Sequence, residues 1–581
     1  MEAGDFAAAI QHFQAAIEKD PRNGHIRYHL ARANRQAGQA GDAIIEATKA
    51  LSLNPELVSA ARFLATLLAQ VQLKNPCGMD SAGLASAFHF TDVDRQVLAP
   101  PAIAYLKSCT PLADAILLGG ASGWDVGAQW LLSSKGRPVL RDPLFQAVLG
   151  SATISDLDME RLLTAARKAL LMAPLKESLR KPHLLEFSCF LAKQMEINEY
   201  LFPVSIEEQD QLEKIVIKPE ILRKGSRAVA ECLLLKAMYA PVWRLLGDDG
   251  QDLDTRIIKP KVLADLIDGH LTERNAEISE ARDIPSIGSI DDDVSLNVAR
   301  LYEENPYPRW LSLNTPEAGQ RRIQMALHFD EEELAFMDHP FRVLIAGSGT
   351  GQQTTDAALA YGPDANLTAI DLSLASLAYA KRMARRFDAN NIQFLQCDIL
   401  NAGQLDDTFD IIECIGVLHH MDEPFQGWRV LVDKLRPGGF MKIGLYSELA
   451  RRDIAALRKD IMTRNLGDDE QTLRDFRQQI INQGDDGKNG FLRQSADFYS
   501  LSNFRDLLFH VSEQHMTIPG IERFLADNGL AFHGFQLPSD IEEGYPADNE
   551  TNDLLQWATF EESHPDTFKG MYVFWCRKAL E

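Results

Sequence analysis

Residues 341–351 read FRVLIAGSGTG, and this stretch decides the fold of the C-terminal part of the chain. Phe341–Ala346 is a short apolar run, which is typical of a strand buried on both faces of a parallel sheet. The glycines after it allow a tight turn, and Gln352–Tyr361 then has the composition of a helix. A ligand can lie against bare backbone amides at such a helix N-terminus. Because several classes of nucleotide-binding domain use similar loops, the stretch alone predicts an α/β fold without specifying a ligand.

Acidic residues come directly after the next two predicted strands. Leu367–Ile370 is predicted as the second strand, and it ends at Asp371, 20 residues after the last glycine of the loop. A carboxylate at that strand tip can accept hydrogen bonds from both ribose hydroxyls of an adenosine. Ile392–Leu395 is predicted as the third strand. After it, the Asp398 carboxylate can accept a hydrogen bond from an adenine amine, with Ile399 against the face of the ring.

The remaining strands carry two further motifs. Phe409–Cys414 is predicted as the fourth strand, and a loop containing His419-His420-Met421 comes after it. The turn Arg436-Pro437-Gly438-Gly439 leads into a fifth strand. The fifth strand and two late strands are predicted at Phe440–Leu445, Leu530–Leu537 and Met571–Arg577.

This ordered set of motifs closely resembles the class I S-adenosylmethionine-dependent methyltransferases. The resemblance covers residues 341–447 well and the rest of the C-terminal part more loosely. It implies that S-adenosylmethionine is the cofactor. It also implies that Gly347, Gly349 and Gly351 face the methionine end of that cofactor, that Asp371 binds the ribose, and that Asp398 with Ile399 binds the adenine. One departure is Ala346, because the family often has an acidic residue there that orders the loop or the cofactor amine.

A nicotinamide-dependent dehydrogenase is the rival interpretation of the same loop. Its glycine spacing would be G-x-G-x-x-G, but position 352 is Gln, so the spacing here is G-x-G-x-G. Asp398, the HHM loop and the RPGG turn also have no role in a dinucleotide site. The sequence therefore favours the methyl donor.

The N-terminal segment is repetitive. Gly4, Ala9, Ile10, Ala16 and Pro21 recur 34 residues later, at positions 38, 43, 44, 50 and 55. The period and the residue types resemble a tetratricopeptide repeat, in which small residues let two antiparallel helices approach closely. The helix that should open the first repeat has no sequence to form it, so the array begins with half a repeat or the sequence starts within one. So short an array is expected to pack on the next domain, and to serve either as a protein-docking groove or as a helical support.

The predicted architecture is multidomain. An all-α N-terminal half comprises partial tetratricopeptide repeats (1–72) and a helical middle domain (73–290), in which the polar stretch Glu273–Asp293 is predicted to be a linker. A Rossmann-like class I methyltransferase sheet is predicted over 291–581. A largely helical insertion at about 449–523 is a candidate lid, since it would overhang the strand ends where ligands bind.

Two groups of residues are candidates for the chemistry. Methyl transfer needs a general base only if the acceptor must lose a proton, and His419 and His420 lie where substrates of the family approach. Ahead of the sheet, the stretch Tyr302–Trp310 (YEENPYPRW) contains two prolines that hold it extended. Its aromatic and basic side chains, Tyr302, Tyr307, Arg309 and Trp310, are predicted to cap the cofactor or to shape an acceptor pocket.

Composition limits the other possibilities. With 59 basic and 83 acidic residues the formal net charge is −24, which disfavours a nucleic-acid partner. The seven cysteines form no C-x-x-C pair and suggest no disulfide framework, so reduced thiols and a cytoplasmic location are expected. No run is long and apolar enough to predict a membrane span. The H-x-x-E-x-H spacing from His510 to His515 does not share one helix face, so no metal is assigned.

The sequence leaves the acceptor open. The nitrogen-methylating motif [DN]-P-P-[YF] is absent, and the loop after the fourth strand resembles that of methylases that act on quinones and other small molecules. Bacterial proteins that join tetratricopeptide repeats to a class I methyltransferase also resemble this chain throughout, including the N-P-Y-P-R-W stretch. Three hypotheses result: methylation of a protein docked by the repeats, methylation of a small molecule, and a protein-binding scaffold whose methyltransferase-like domain is catalytically silent.

Overall fold

The computed structural model describes residues 6–71, 75–174, 179–250, 253–484, 487, 489–537, 541, 544–546 and 551–580. Gly4, which belongs to the repeat pattern, lies outside the described residues. The chain folds into two compact units. The first comprises Met1–Asn275, Leu311–Asn314 and Asp469–Leu501, and the second comprises Ala276–Trp310, Thr315–Asp468 and Ser502–Glu581.

The first unit is helical, as predicted. No single helix among the described residues is long and apolar enough to cross a membrane; two helices that meet at an 80° bend, Arg95–Cys109 and Leu112–Ser122, meet the length and composition criteria only when taken together. The α-helices within this unit are Phe6–Lys19, Gly24–Gln36, Ala40–Leu53, Val58–Gln70, Ser81–Ala87, Arg95–Cys109, Leu112–Ser122, Trp124–Leu132, Arg137–Leu140, Pro143–Ser151, Leu157–Met172, Pro182–Ile197, Ile206–Lys214, Pro219–Leu222, Arg227–Ala237, Val242–Leu246 and Glu470–Asn482.

The repeat helices share one hydrophobic core with the helices after them. Ala43 and Ala50, the small residues of the second copy of the repeat, are fully buried, which is the close approach that the repeat predicts. The same continuous cluster of buried side chains extends from the repeats to Leu271. The expectation that the short array packs on the neighbouring helices is therefore confirmed, and the structure draws no core boundary at residue 72. The division of the chain into three domains stays a prediction.

One pair of cysteines departs from the expectation of reduced thiols. Cys77 and Cys109 form a disulfide, with Cα atoms 5.6 Å apart. They are 32 residues apart in sequence, and the short helical turn Pro76–Gly78 brings Cys77 to the last residue of Arg95–Cys109. Their spacing carries no signal of this pairing because it depends on how two helices pack. The expectation of reduced thiols is thus wrong for these two cysteines, while the other five are free.

The predicted insertion at 449–523 divides between the two units. Residues 469–501 belong to the first unit, where the Arg477 guanidinium donates two hydrogen bonds of 2.6 Å to the Glu160 carboxylate. Both side chains are almost fully buried. A bidentate contact of this kind holds the inserted helix Glu470–Asn482 to helix Leu157–Met172 within the first unit. Only residues 449–468 and 502–523 belong to the second unit.

In the part of the second unit that the structure describes, the core is a mixed, mainly parallel sheet of eight strands. Its order is β1-β4-β3-β2-β5-β6-β8-β7, with β8 antiparallel to both of its neighbours. All seven predicted strands are present. The strands are β1 (Ser286–Ile287), β2 (Phe341–Ala346), β3 (Ala365–Asp371), β4 (Ile392–Cys397), β5 (Phe409–Ile415), β6 (Leu435–Leu445), β7 (Leu530–Phe535) and β8 (Tyr572–Lys578).

Helices cover both faces of this sheet, and a separate hydrophobic cluster lies on each face. The chain runs from β2 outward to β3 and β4 on one side, and then from β5 outward to β6 on the other. Ligands of such sheets bind at this reversal, outside the carboxyl ends of the central strands. The α-helices of the second unit are Asp293–Glu304, Gln320–Met325, Glu331–Leu334, Gln352–Tyr361, Leu374–Arg386, Pro424–Lys434, Arg452–Thr463, Ile518–Asp527 and Leu554–Ser563; Lys261–Arg282 and Leu501–Phe509 begin in the first unit and end in the second.

The predicted linker Glu273–Asp293 is only partly irregular. Residues 273–282 continue the helix Lys261–Arg282, so the linker prediction is wrong for them. The stretch has neither proline nor glycine before Pro285, and two of its acids pair with bases on helix Leu374–Arg386. Glu277 bonds to Arg382, and Glu280 bonds to Arg385. The acidic residues that suggested a solvated linker instead hold the end of helix Lys261–Arg282 to helix Leu374–Arg386.

Candidate functional site

A cavity of about 340 Å³ opens at the carboxyl ends of β2 to β5, within the second unit. Its volume lies in the range of small-molecule binding sites. The loops after these four strands supply most of the lining, and the segment before the sheet and the helix Leu501–Phe509 supply the rest. The cavity therefore lies where the strand order reverses.

The glycine loop comes directly after β2 and forms one wall of the cavity. Gly347 and Gly351 have φ angles of +79° and +80°, which side chains rarely adopt. A Cβ atom on Gly347 would overlap the Val417 side chain, and one on Gly351 would overlap Ala380. Glycine is thus required here both by the backbone conformation and by close packing, and the loop exposes bare backbone toward the cavity.

Asp371 is bound directly to this loop. The backbone N–H of Gly349 donates a hydrogen bond of 2.8 Å to Asp371 Oδ2, and the N–H of Ser373 donates one of 2.9 Å to Oδ1. Burial raises the pKa of the Asp371 carboxyl, and the backbone donors partly offset that rise. Asp371 lines the cavity, and a carboxylate retains free acceptor positions beside two such bonds.

The end of β4 adds a second carboxylate. Asp398 is almost fully buried, and its Oδ1 accepts a hydrogen bond of 2.9 Å from the Leu400 N–H, within the short helical segment Ile399–Gln404. Asp398 and Ile399 both line the cavity. The structure thus brings Gly347, Gly349 and Gly351 together with Asp371, Asp398 and Ile399 around one space.

The segment Tyr302–Trp310 divides between the cavity and its support. Tyr302 and Tyr307 line the cavity, and their rings stack with centroids 6.4 Å apart. Trp310 is buried behind the glycine loop, and its Nε1–H donates a hydrogen bond of 2.9 Å to the Thr350 carbonyl. The guanidinium of Arg309 lies over the Tyr379 ring, 5.5 Å from its centroid. Neither Arg309 nor Trp310 is among the described residues that line the cavity.

The two adjacent histidines occupy different places. His420 lines the cavity, whereas the His419 ring is fully buried and stacks on Tyr446 with centroids 3.9 Å apart. Burial lowers the pKa of His419 well below its usual range and that of His420 to about 4, so both imidazoles are neutral near pH 7. The carbonyl of Ser512 lies 2.8 Å from His420 Nδ1, which makes Nδ1 the protonated nitrogen.

Several lining residues were not found from the sequence. Asp506, Tyr446 and Met571 line the same cavity, although they lie far from the glycine loop in the chain. Tyr302 donates a hydrogen bond of 2.7 Å from its hydroxyl to Asp506 Oδ1. The one signal for Asp506 is its i, i+4 spacing to His510, which places both on one face of a helix end.

A buried acid on β5 lies beside the position where the family often has one. Ala346 ends β2, and its neighbour Ile345 is in register with Glu413 of β5. The Glu413 carboxylate accepts hydrogen bonds from the Tyr361 hydroxyl at 2.7 Å and from the Gln353 amide at 3.1 Å. Gln353 itself lines the cavity, so this acid orders the first turn of the helix after the glycine loop.

Comparison with known proteins finds matches to two parts of the chain. A family model described as a methyltransferase domain matches residues 343–439, and one described as a tetratricopeptide repeat matches residues 1–70. An uncharacterised protein of Synechococcus sp. is 31% identical over 259 residues. That match covers 42% of this chain and 61% of the relative, so less than two thirds of the relative's length is spanned.

Solved structures give distant likenesses. PKMT2 from Rickettsia typhi, solved in complex with AdoHcy, is 18% identical with a TM-score of 0.33, over 41% of this chain and 49% of that one. Magnesium protoporphyrin IX methyltransferase from Synechocystis, solved with bound SAH, is 14% identical with a TM-score of 0.25, over 52% of this chain and 94% of that one. Together with the strand order, the family models show a tetratricopeptide segment followed by a class I methyltransferase fold.

Proposed function

We propose that this chain, which carries a methyltransferase domain behind an N-terminal tetratricopeptide segment, transfers the methyl group of S-adenosylmethionine to an acceptor bound in the cavity at the ends of β2 to β5. One observation carries the proposal. The glycine loop, two carboxylates on neighbouring strand ends and an apolar side chain beside the second carboxylate surround a single cavity of about 340 Å³.

The residues around the cavity fit each part of that cofactor. The glycine loop offers backbone N–H groups at a helix N-terminus and leaves no room for side chains near Gly347, which suits the carboxylate of a methionine moiety. Asp371 has free acceptor positions for ribose hydroxyls. Asp398 accepts from an adenine amine, and Ile399 supplies an apolar surface for the ring. The bound cofactor supplies an electrophilic methyl group on a sulfonium.

The protein's contribution is to position the reactants and exclude water, because methyl transfer needs little acid–base work. Trp310 supports the glycine loop from behind through its bond to the Thr350 carbonyl. Tyr302 and Tyr307 form a rigid, stacked aromatic wall on the cavity. Arg309 would act indirectly, by holding the Tyr379 ring against which it lies.

The acceptor end is assigned to the side of the cavity lined by His420, Tyr446 and Asp506. The Nε2 atom of His420 carries a lone pair, since Nδ1 donates to the Ser512 carbonyl. A neutral imidazole in this place can take a proton from an acceptor without first losing one of its own. His419 is proposed to position the loop through its stacking on Tyr446 rather than to touch the reactants.

Two acceptor classes stay open, a protein held by the tetratricopeptide segment and a small molecule. Such repeats commonly mediate protein interactions, which supports the first class. The full-length protein would be incubated with cell lysate and S-adenosylmethionine labelled in its methyl group. We expect the labelled methyl group to appear in either the protein or the small-molecule fraction of the lysate. When the Asp371→Ala variant is added to the lysate in place of the wild-type protein, much less label should be incorporated.

The same experiment separates an enzyme from a silent scaffold. If the wild-type protein binds S-adenosylmethionine but no fraction of any lysate receives label, a binding scaffold is the better description. His420→Gln supplies a further comparison, because it should lower turnover while leaving cofactor affinity unchanged. Loss of cofactor affinity in that variant would contradict its placement at the acceptor end.

A further inference from the structure

We propose that His420, Asp506 and His510 form a binding site for a divalent first-row transition-metal ion at the acceptor end of the cavity. One nitrogen of each histidine and one carboxylate oxygen of Asp506 lie within 4.8 Å of one another. All three side chains are more than nine-tenths buried. Two imidazoles and one carboxylate are a donor set that suits zinc, iron, cobalt or nickel.

The chain brings these three residues together from two places. Asp506 and His510 are one helical turn apart at the end of Leu501–Phe509, and His420 lies in the loop after β5. The ring centroids of His420 and His510 are 3.7 Å apart, and the ring planes are tilted by 30°. His420 and Asp506 also line the cavity, so an ion held here would adjoin the space left for an acceptor.

One atom of the cluster lacks a hydrogen-bond partner in the part of the chain that the structure describes. The Nε2 atom of His510 is buried and has no hydrogen-bond partner among the described residues. A buried polar atom without a partner is costly, and native structures rarely leave one unsatisfied. A metal ion bound at this nitrogen would remove that cost.

The surroundings of the three side chains have the features of an outer coordination shell. Metal-binding histidines usually direct their other ring nitrogen to a carbonyl or carboxylate, which fixes the orientation of the ring. The Ser512 carbonyl lies 2.8 Å from His420 Nδ1 and 2.6 Å from His510 Nδ1, and the Ser512 N–H lies 3.1 Å from the same nitrogen of His510. The Tyr302 hydroxyl donates to Asp506 in the same way, which orients the carboxylate.

If the proposed function is correct, an ion at this site would favour acceptors that carry a hydroxyl or amine group; this part of the inference rests on the proposed function. With the ion bound, His420 Nε2 would be a ligand of the ion and no longer a base, since its Nδ1 is bonded to the Ser512 carbonyl. An acceptor hydroxyl or amine that coordinates the ion would have a lowered pKa and would release its proton to water before methyl transfer. The metal site itself does not depend on methyl transfer, so the two can be tested apart.

The direct test is metal binding by the full-length protein without S-adenosylmethionine. After dialysis against a chelator, the protein would be titrated with Co²⁺ and followed by its visible absorption, and with Zn²⁺ by calorimetry. We expect one ion per chain. His510→Gln and Asp506→Asn should each weaken binding by about 100-fold or more, and Tyr302→Phe, which removes an outer-shell bond, by about 10-fold.

A matched histidine variant provides the control. His515 lies on the same segment but bonds to Glu513 instead, so His515→Gln should bind the ion with unchanged affinity. Absence of stoichiometric binding by the wild-type protein would overturn the proposal, and so would binding that neither His510→Gln nor Asp506→Asn weakens. Metal binding without S-adenosylmethionine binding would instead contradict only the proposed function.

Discussion

The backbone N–H of Gly349 donates a hydrogen bond of 2.8 Å to the carboxylate of Asp371, which joins the glycine loop to the end of β3 before any ligand is bound. The two motifs that the sequence assigns to different parts of a cofactor are therefore one connected unit. A change in either residue should alter the order of the other, so that binding and local stability change together.

Gly347→Ala tests whether the glycine loop needs its bare backbone. The substitution places a side chain at φ +79° and against Val417. The backbone conformation alone should cost about 1–3 kcal/mol, and the overlap adds to it. We expect a lower midpoint in urea unfolding and loss of S-adenosylmethionine binding by calorimetry.

Gly403→Ala is the matched control for that substitution. Gly403 lies in the segment Ile399–Gln404 and does not have a positive φ, and a Cβ atom added to it would meet no atom within 4 Å. Its replacement should change the free energy of unfolding by less than about 0.5 kcal/mol. Equal effects of the two substitutions would contradict the role assigned to the glycine loop.

Glu413→Gln tests the buried charges behind the loop. Burial acts to raise the pKa of Glu413, but the charges of Arg321 and Lys442 outweigh it and the pKa is lowered. Removing the carboxylate leaves these bases without their buried partner and should cost about 3 kcal/mol or more at pH 7. The measurement is urea unfolding of the wild type and the variant.

The pH dependence of that difference has a definite sign. A carboxyl whose pKa is lower in the folded than in the unfolded state contributes stability above its ordinary pKa, about 4.3, and loses it as the pH falls through the folded value. The gap between wild type and Glu413→Gln should therefore be constant from pH 8 to about 5 and shrink below that. A gap that stays constant down to pH 3 would contradict this account.

The parallel strands were predictable because each is a short apolar run that ends at a turn. Phe341–Ala346 coincides with β2, and the other predicted strands differ from the observed ones by a few residues at their ends. The edge strand Ser286–Ile287 was missed because it is only two residues long and is recognised as a strand only by its pairing with β4. A strand buried on both faces is recognisable in the sequence as an apolar run, whereas a short strand that pairs at the edge of the sheet has no such pattern.

The candidate site was predictable where its residues come directly after a strand. Asp371 and Asp398 were found because strand ends converge at one edge of a parallel sheet. Tyr446 comes directly after β6, so the same rule could have found it. Asp506 was not found, because its approach to the cavity depends on packing between segments distant in the chain. The same reason hides the bond between Arg477 and Glu160, which are 317 residues apart.

Arg477→Met tests whether the inserted helix belongs to the core of the first unit. The change leaves the Glu160 carboxylate buried without its partner, which should cost about 3–5 kcal/mol. The double variant with Glu160→Gln should recover part of that loss in urea unfolding. As a control, Arg256 pairs with Asp254 on the surface, so Arg256→Ala should leave the urea midpoint unchanged. Equal effects of Arg477→Met and Arg256→Ala would contradict the assignment.

Calorimetric titration of the full-length protein with S-adenosylmethionine tests the central claim most directly. We expect one molecule bound per chain, and we expect Asp371→Ala to weaken binding at least about 10-fold, because the ribose loses its acceptor and the Gly349 N–H loses its partner. The surface variant Arg256→Ala should bind like the wild type. Absence of S-adenosylmethionine binding by the folded wild-type protein, or equal affinity in the Asp371→Ala variant, would contradict the account.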